Sequence, residues 1–418
     1  MATLEITIDD LGAQGDGIAH ENGATIFVSG ALKGEKVRIE LSDSTNAVKR
    51  GELVEVLVPV RERMKPPCPH YPQCGGCRLQ HMNDSAYEAF KRSELVYLFE
   101  REGLAAPHLM PTVTTATQTR RRARVAAHYG EAGLILGFNA WRSHEIVDLR
   151  SCEVMKPEIT DLIDKLRAYL PHWLGQGESC DIQITALPSG MDVTLIGGPK
   201  LDVNARQNLA ELAERLDVAH LSWRKWDRSP VEPVSHRAPL AVQFGETVLA
   251  FPPASFLQAT DAGAEALVDF VLAAPLGEGK VLDLFCGLGL FGLSLTQAKK
   301  VHFCDLDGPA IKALAKAIQK HKTMETSLRN LMTNPFTAEE CSTYDLVIFD
   351  PPRGGAKAQA EKLAKSSVPS VVAISCDPPS FVRDAKILVE GGYRLENIQP
   401  VDQFLWSTHM ELAALFVK

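Results

Sequence analysis

No apolar run in the 418-residue chain approaches the ~20 residues a membrane-spanning helix needs, so no membrane segment is expected. The opening residues, MATLEITIDD, carry neither a basic stretch nor an apolar core, so no secretory signal is read there. Positive charge is scarce: 44 Lys and Arg against 52 Asp and Glu leave a net charge of −8. That excludes a generally basic nucleic-acid binder and confines any polyanion site to a local patch. Nine cysteines in a chain this long do not make a disulfide scaffold. A cytoplasmic protein with reduced thiols is expected, in which clustered cysteines point to metal binding or catalysis. With 45% hydrophobic and 23% charged residues, the composition is that of two or three globular domains.

What is present is organised around Lys280 to Leu295, KVLDLFCGLGLFGLSL. A short apolar run, Val281 to Phe285, precedes Gly287, Gly289 and Gly292, and apolar residues then resume. This reads as a buried parallel strand, a tight turn and a helix start. The glycines also fit the G-x-G-x-x-G pattern of nicotinamide enzymes, a weak signal alone. Asp283 inside the strand argues for a different cofactor. So do Asp305 after a second strand, Val301 to Cys304, and Asp350-Pro351-Pro352-Arg353 after another, Tyr344 to Phe349. Together these resemble class I S-adenosylmethionine (SAM) methyltransferases.

Residues 1–60 read as short strands punctuated by glycine, a small OB-like barrel. The segment L-G-x-x-G-D-G-I-A resembles the RNA-binding TRAM domain. Ten acids against five bases make it a poor phosphate clamp, and Phe27 is its only aromatic residue for stacking. Residues 61–82 then place Cys68, Cys74 and Cys77 within ten residues, among prolines and glycines. Three thiolates at this spacing suit zinc or an iron–sulfur cluster equally. Cys152, Cys180, His70 and His81 are the candidates for a fourth ligand.

A helical segment follows within residues 83–119 and is expected to pack on the catalytic domain. Arg120, Arg121, Arg122 and Arg124 open a strand and form the densest basic run, offering either a phosphate grip or a salt-bridged strand edge. Residues 120–240 read as a mixed α+β central domain sharing the cysteine cluster of residues 61–82. Trp223 and Trp226, among Arg224, Lys225 and Arg228, offer rings for base stacking, with core tryptophans the preferred reading. Residues 241–418 alternate strand and helix and predict a doubly wound, Rossmann-like α/β domain.

Ligands of such sheets sit off the C-terminal strand ends. Asp305, Asp350 and Cys376 each stand at such an end, Cys376 also preceding a helix start that favours its thiolate. SAM and a thiolate suit methylation of carbon 5 of a pyrimidine. The thiolate adds to carbon 6, carbon 5 takes the methyl group, and a base removes the carbon 5 proton. Glu411, in T-H-M-E, is the candidate base.

The ordered motifs F-x-Q, D-L-F-C-G-x-G, D-P-P-R, S-C-x-P and H-x-E resemble the RNA uracil-5-methyltransferase family. With the TRAM-like barrel and C-x5-C-x2-C, the chain is similar to the iron–sulfur branch acting on 23S ribosomal RNA. The resemblance implies Cys376 as nucleophile and Glu411 as base. It implies SAM contacts from Gln258, Phe285, Asp305, Asn334 and Asp350. It also implies a 4Fe-4S cluster on Cys68, Cys74, Cys77 and Cys152, with zinc as runner-up. The expected partner is RNA, large-subunit ribosomal RNA ahead of transfer RNA, bound by a monomer. A metal-cluster RNA-binding protein without activity is the reading from another class.

Three positions depart from the family pattern. Leu290 stands where a small or polar residue is usual, and Asp305 where glutamate is usual. Asp377 replaces asparagine after Cys376, and its charge is expected to oppose the thiolate.

Overall fold

The computed structural model describes residues 2–41, 48–104, 108–276 and 279–418. The chain divides into two compact units: Met1–Tyr97, Asn139–Val147 and Phe404–Thr408 form the first; Leu98–Phe138, Asp148–Gln403 and His409–Lys418 form the second. Among the described residues no helix is long and apolar enough to cross a membrane.

The first unit begins with β1 (Ala2–Thr7), β2 (Asp10–Leu11), β3 (Asp16–Glu21), β4 (Ala24–Ser29), β5 (Lys36–Leu41) and β6 (Val48–Val58). They form one sheet in the order β1-β5-β6-β4-β3-β2. Alternation sends Ile6, Ile8, Ile26, Val28, Val37 and Ile39 to one face, where they make a separate core. Gly17 packs tightly here, since a Cβ would lie 3.0 Å from the Ala31 carbonyl oxygen. The cysteine loop, residues 61–82, belongs to this unit. Buried Arg78, next to Cys77, donates to Asp16 Oδ1 at 2.6 Å and Ser29 Oγ at 2.7 Å, and stacks over Trp141. The helix α1 (Asp84–Arg101) follows.

In the second unit, β7 (His108–Leu109) and β8 (Val113–Thr114) precede β9 (Arg122–Gly130), β10 (Gly133–Asn139), β11 (Ile146–Asp148) and α2 (Pro157–Tyr169). Then come β12 (Ser179–Leu187), β13 (Gly190–Gly197), α3 (Val203–Arg215), β14 (His220–Arg224) and β15 (Glu232–His236). The sheet runs β11-β10-β9-β12-β13-β14-β15. One face presents Val125, Ile182, Ile184, Val193, Leu195 and Leu221 to apolar residues of α2 and α3. By the two-residue period, Arg122, Gln183, Thr185, Asp192, Thr194, His220 and Ser222 stand on the other face. Trp223 is buried, as expected, but Trp226 is 55% exposed and is no core residue.

The remaining elements are β16 (Ala241–Phe244), β17 (Thr247–Ala250), α4 (Asp261–Leu272), β18 (Lys280–Leu284), α5 (Leu290–Ser294), β19 (Lys300–Asp305), α6 (Gly308–Ile318) and β20 (Met324–Leu328). Then follow α7 (Ala338–Cys341), β21 (Leu346–Phe349), α8 (Lys357–Ala364), β22 (Ser370–Ser375), α9 (Pro378–Glu390), β23 (Arg394–Asp402) and β24 (Glu411–Val417). The nine-stranded sheet runs β20-β19-β18-β21-β22-β24-β23-β7, with β8 also on β23. The strands from β20 to β22 are parallel and β24 is antiparallel. The chain winds outward from β18 through β19 to β20, then restarts on its other side at β21. The crevice at this reversal is where a doubly wound sheet binds its ligand.

Candidate active site

The turn after β18 is built from residues few side chains could replace. Phe285, expected as the last strand residue, instead adopts φ +59°, the left-handed region. Gly287 (φ +52°) and Gly289 (φ +85°) continue the turn. Gly287 N–H donates to Asp305 Oδ2 at 2.8 Å, which ties the turn to the end of β19. Gly292 N–H donates to Asp283 Oδ2 at 2.9 Å. Asp283 is 1% exposed, and burial pushes its carboxyl up to about 8. The helix α5 is only five residues long.

A cavity of about 420 Å³, open to solvent, lies off these strand ends. Gln258, Phe285, Gly287, Leu290 and Asp350 line it, with Arg121 and Phe256. A Cβ on Gly287 would meet nothing within 4 Å, so the backbone there borders open space.

Cys376 follows β22, and Glu411 opens β24. Antiparallel pairing of Ser375 with Leu412 carries the two to the same end of neighbouring strands. Glu411 is 2% exposed, and its Oε2 accepts from Gln403 Nε2 at 2.7 Å. Gln403 Nε2 also donates to Gln258 Oε1 at 2.8 Å, and Gln258 Nε2 donates to Asp350 Oδ2 at 3.2 Å. One amide chain thus links Glu411 with Asp350.

The electrostatics favour neutral forms. Burial, then the charge of Asp350, pushes Glu411 up to about 8. Burial pushes Asp350 up to about 7, with Asp305 adding repulsion. The Cys376 thiol is pushed up to about 11 by burial, then by Glu411 and Asp350. This reverses the expectation that the following helix would favour the thiolate. The opposing charges are also not the one expected, for Asp377 Oδ2 instead caps α9 by accepting from Ser380 N–H at 3.0 Å. Arg353 acts against the trend, lowering both Cys376 and Glu411.

Gln258, Phe285 and Asp350 therefore share one cavity, and Asp305 braces the turn beside it. Asn334 is exposed in the turn after β20 and is not among the cavity's lining residues; its Oδ1 accepts from Arg329 Nη2 at 3.3 Å. Leu290 presents an apolar wall to the cavity. Sequence reasoning gave no role to Gln403 or Arg353. The signal for Gln403 was a lone amide between two strands; for Arg353 it was the cation closing D-P-P-R.

The basic run does not offer a free phosphate grip. Arg121 Nε donates to Gln258 O at 3.0 Å and pairs with Asp261. Arg122 Nη1 donates to Leu257 O at 2.8 Å, and Arg124 pairs with Asp181 and Asp227. Cys68 and Cys77 are half-buried and Cys74 is buried on the loop of the first unit, and half-buried Cys152 lies in the second. Three thiols in one loop are suitable donors for zinc or iron. Among the described residues, however, no three His, Cys, Asp or Glu side chains form a group that could hold a metal ion.

Comparison with known proteins adds to this geometry. Residues 144–418 match the family described as tRNA (Uracil-5-)-methyltransferase, and residues 2–54 match the TRAM domain. An uncharacterized RNA methyltransferase of Brucella suis is 38% identical over 100% of this chain and 98% of its own. The 23S rRNA (uracil(1939)-C(5))-methyltransferase of Vibrio vulnificus is 32% identical over 99% of this chain and 96% of its own. The fold is similar to that of Pyrococcus abyssi tRNA (uracil-54, C5)-methyltransferase in complex with S-adenosyl-L-homocysteine. That likeness has a TM-score of 0.73 at 21% identity and covers 99% of each chain.

Proposed function

The chain belongs to the RNA uracil-5-methyltransferase family, and we propose that it methylates carbon 5 of a uridine in 23S ribosomal RNA, with Cys376 as nucleophile and Glu411 as base. One observation carries the assignment of roles: the strand register that brings a thiol and a buried carboxyl to the same sheet end, beside a cavity floored by the glycine turn. The name of the Vibrio relative supports ribosomal over transfer RNA.

The cavity fits SAM. It has open space beside the Gly287 backbone, and burial raises both Asp350 and Glu411, which a cation would offset. SAM supplies an electrophilic methyl group on a positively charged sulfonium. Gln258, Phe285 and Asp350 would hold it, and Asp305 keeps lone pairs for ribose hydroxyls beside the two backbone N–H groups it already accepts from. Asn334, exposed in the next turn, would complete the set.

In the reaction, Cys376 gives up its proton to solvent and its sulfur adds to carbon 6 of the uracil. The electron pair displaced toward carbon 5 takes the methyl group as the bond between that methyl and the sulfonium sulfur breaks, leaving the neutral thioether. Glu411, ionised, then removes the carbon 5 proton, the ring double bond re-forms, and the Cys376 thiolate leaves. Gln403 orients Glu411, and Arg353 opposes the repulsion that raises both groups. To meet Cys376, a uracil within a folded stem must be extruded.

Cys68, Cys74, Cys77 and Cys152 are read as ligands of a structural 4Fe-4S cluster, with zinc the runner-up. Thiol spacing supports a metal site in general, family resemblance alone favours iron over zinc, and no catalytic step passes through it.

The test is incubation with tritiated SAM and unmodified ribosomal or transfer RNA, followed by nucleoside analysis. Label is expected in 5-methyluridine of the large-subunit RNA. Cys376→Ala should abolish transfer while SAM binding persists. Glu411→Gln should stall as a covalent RNA adduct on a denaturing gel. Turnover by Cys376→Ala would overturn the roles; label confined to transfer RNA would overturn the substrate.

A further inference from the structure

Between β17 and α4 the chain runs through residues 252–258 without helix or strand. Its backbone polar groups therefore need partners from elsewhere. They find them largely on the polar face of the β9–β15 sheet. Asp192 Oδ2 accepts from Ala254 N–H at 3.0 Å, and Gln183 Nε2 donates to Ala254 O at 3.3 Å. Arg122 and Arg121 take the carbonyls of Leu257 and Gln258. Arg122 also stacks on the Phe256 ring at 4.4 Å. The segment carries Phe256, Leu257 and Gln258 to the cavity wall.

Asp192 is the critical holder. It is fully buried (0% exposed) at the centre of the sheet face, paired in register with Thr185 and His220. Its second oxygen lies 3.7 Å from His220 Nδ1. The N–H it binds belongs to Ala254, whose φ of +61° is uncommon for a residue with a side chain. A hydrogen bond to a carboxylate is strong enough to hold such a conformation. Releasing it lets Ala254 relax to negative φ, which redirects the chain into Phe256 and Gln258.

We infer that Asp192 is a positioning residue for the cofactor wall: by holding Ala254 left-handed, it sets Phe256 and Gln258 against the cavity. This rests on the reading of that cavity as the SAM site. Asp192 is fully buried and is not among the cavity's lining residues, so it works through the segment.

The experiment measures S-adenosylhomocysteine affinity by calorimetry in the full-length protein, alongside kcat and KM for SAM. Asp192→Ala removes the acceptor. Asp192→Asn keeps an oxygen that can accept from Ala254. Ala254→Val attacks the same conformation from the segment, because a β-branched residue resists positive φ. Asp192→Ala and Ala254→Val are expected to weaken binding about tenfold or more, as loss of one charge-assisted hydrogen bond would. KM should rise more than kcat falls, and Asp192→Asn should recover most of the affinity. Folded Asp192→Ala binding as wild type does, or Asp192→Asn falling as far as Asp192→Ala, overturns the inference. If Asp192→Ala fails to fold, unchanged affinity in Ala254→Val overturns it. Binding is read without RNA, so a wild type that binds but does not methylate uracil counts against the proposed function and not against this role.

Discussion

SAM and S-adenosylhomocysteine should respond differently to pH. Burial, with repulsion from Asp350, holds Glu411 near 8, and burial, with repulsion from Asp305, holds Asp350 near 7, so both are largely protonated at pH 6. A sulfonium cation placed among them favours their ionised forms, so binding expels a proton. For each proton expelled, affinity rises up to tenfold per pH unit until the free group's own value is reached. Because the two carboxyls titrate as a pair, SAM binding should tighten by about tenfold to a hundredfold between pH 6 and 8. The thioether of S-adenosylhomocysteine has no such charge, while the rest of the molecule is shared. Calorimetry across pH 6 to 9, in buffers of different ionisation enthalpy, counts the proton directly. SAM should release about one proton near pH 7 and S-adenosylhomocysteine close to none. Glu411→Gln should flatten most of the difference. Parallel profiles for the two ligands would refute the reasoning, because the acids would then not sense the sulfonium.

Two further outcomes follow from other parts of the fold. Gly292→Ala would place a Cβ 2.4 Å from the fully buried Phe303 ring and 2.9 Å from Asp283 Oδ2. A loss of about 1–3 kcal/mol is expected, read as a lower melting temperature together with weaker SAM binding. Protein purified without oxygen should be brown and carry about four irons per chain, with Cys74→Ser losing them and Cys180→Ser keeping them. Stoichiometric zinc in colourless protein would replace the cluster by the runner-up.

The catalytic sheet was legible because its parallel strands are short apolar runs ending in chemistry-bearing residues. Val281 to Leu284, Leu346 to Phe349 and Ser370 to Ser375 are all buried, and Asp350 and Cys376 come next in sequence. Strand β20 was not foreseen: METSL is an edge segment that needs no continuous apolar face. Strand β14 was also missed, since His220 and Ser222 break its apolar pattern and are buried for polar reasons. Side-chain partners were the least legible. Nothing in the run Arg120 to Arg124 says that two of its guanidiniums are spent on the carbonyls of Leu257 and Gln258. Nor could sequence separate Asp377 as a helix cap from Asp377 as a neighbouring charge, because that depends on where one carboxylate turns. Trp223 and Trp226 are three residues apart, yet one lies inside a strand and the other in the turn beyond it.

The strand that carries Glu411 is made after both of its neighbours yet sits between them. Among the described residues, β23 pairs with the parallel sheet through β24, and β7 and β8 join it through β23. So β24 works like the keystone of an arch. Until it slides into its gap, three earlier strands have no place in the sheet and the thiol just after β22 has no carboxyl across from it. Assembly of the outer sheet and completion of the thiol–carboxyl pair are therefore one event.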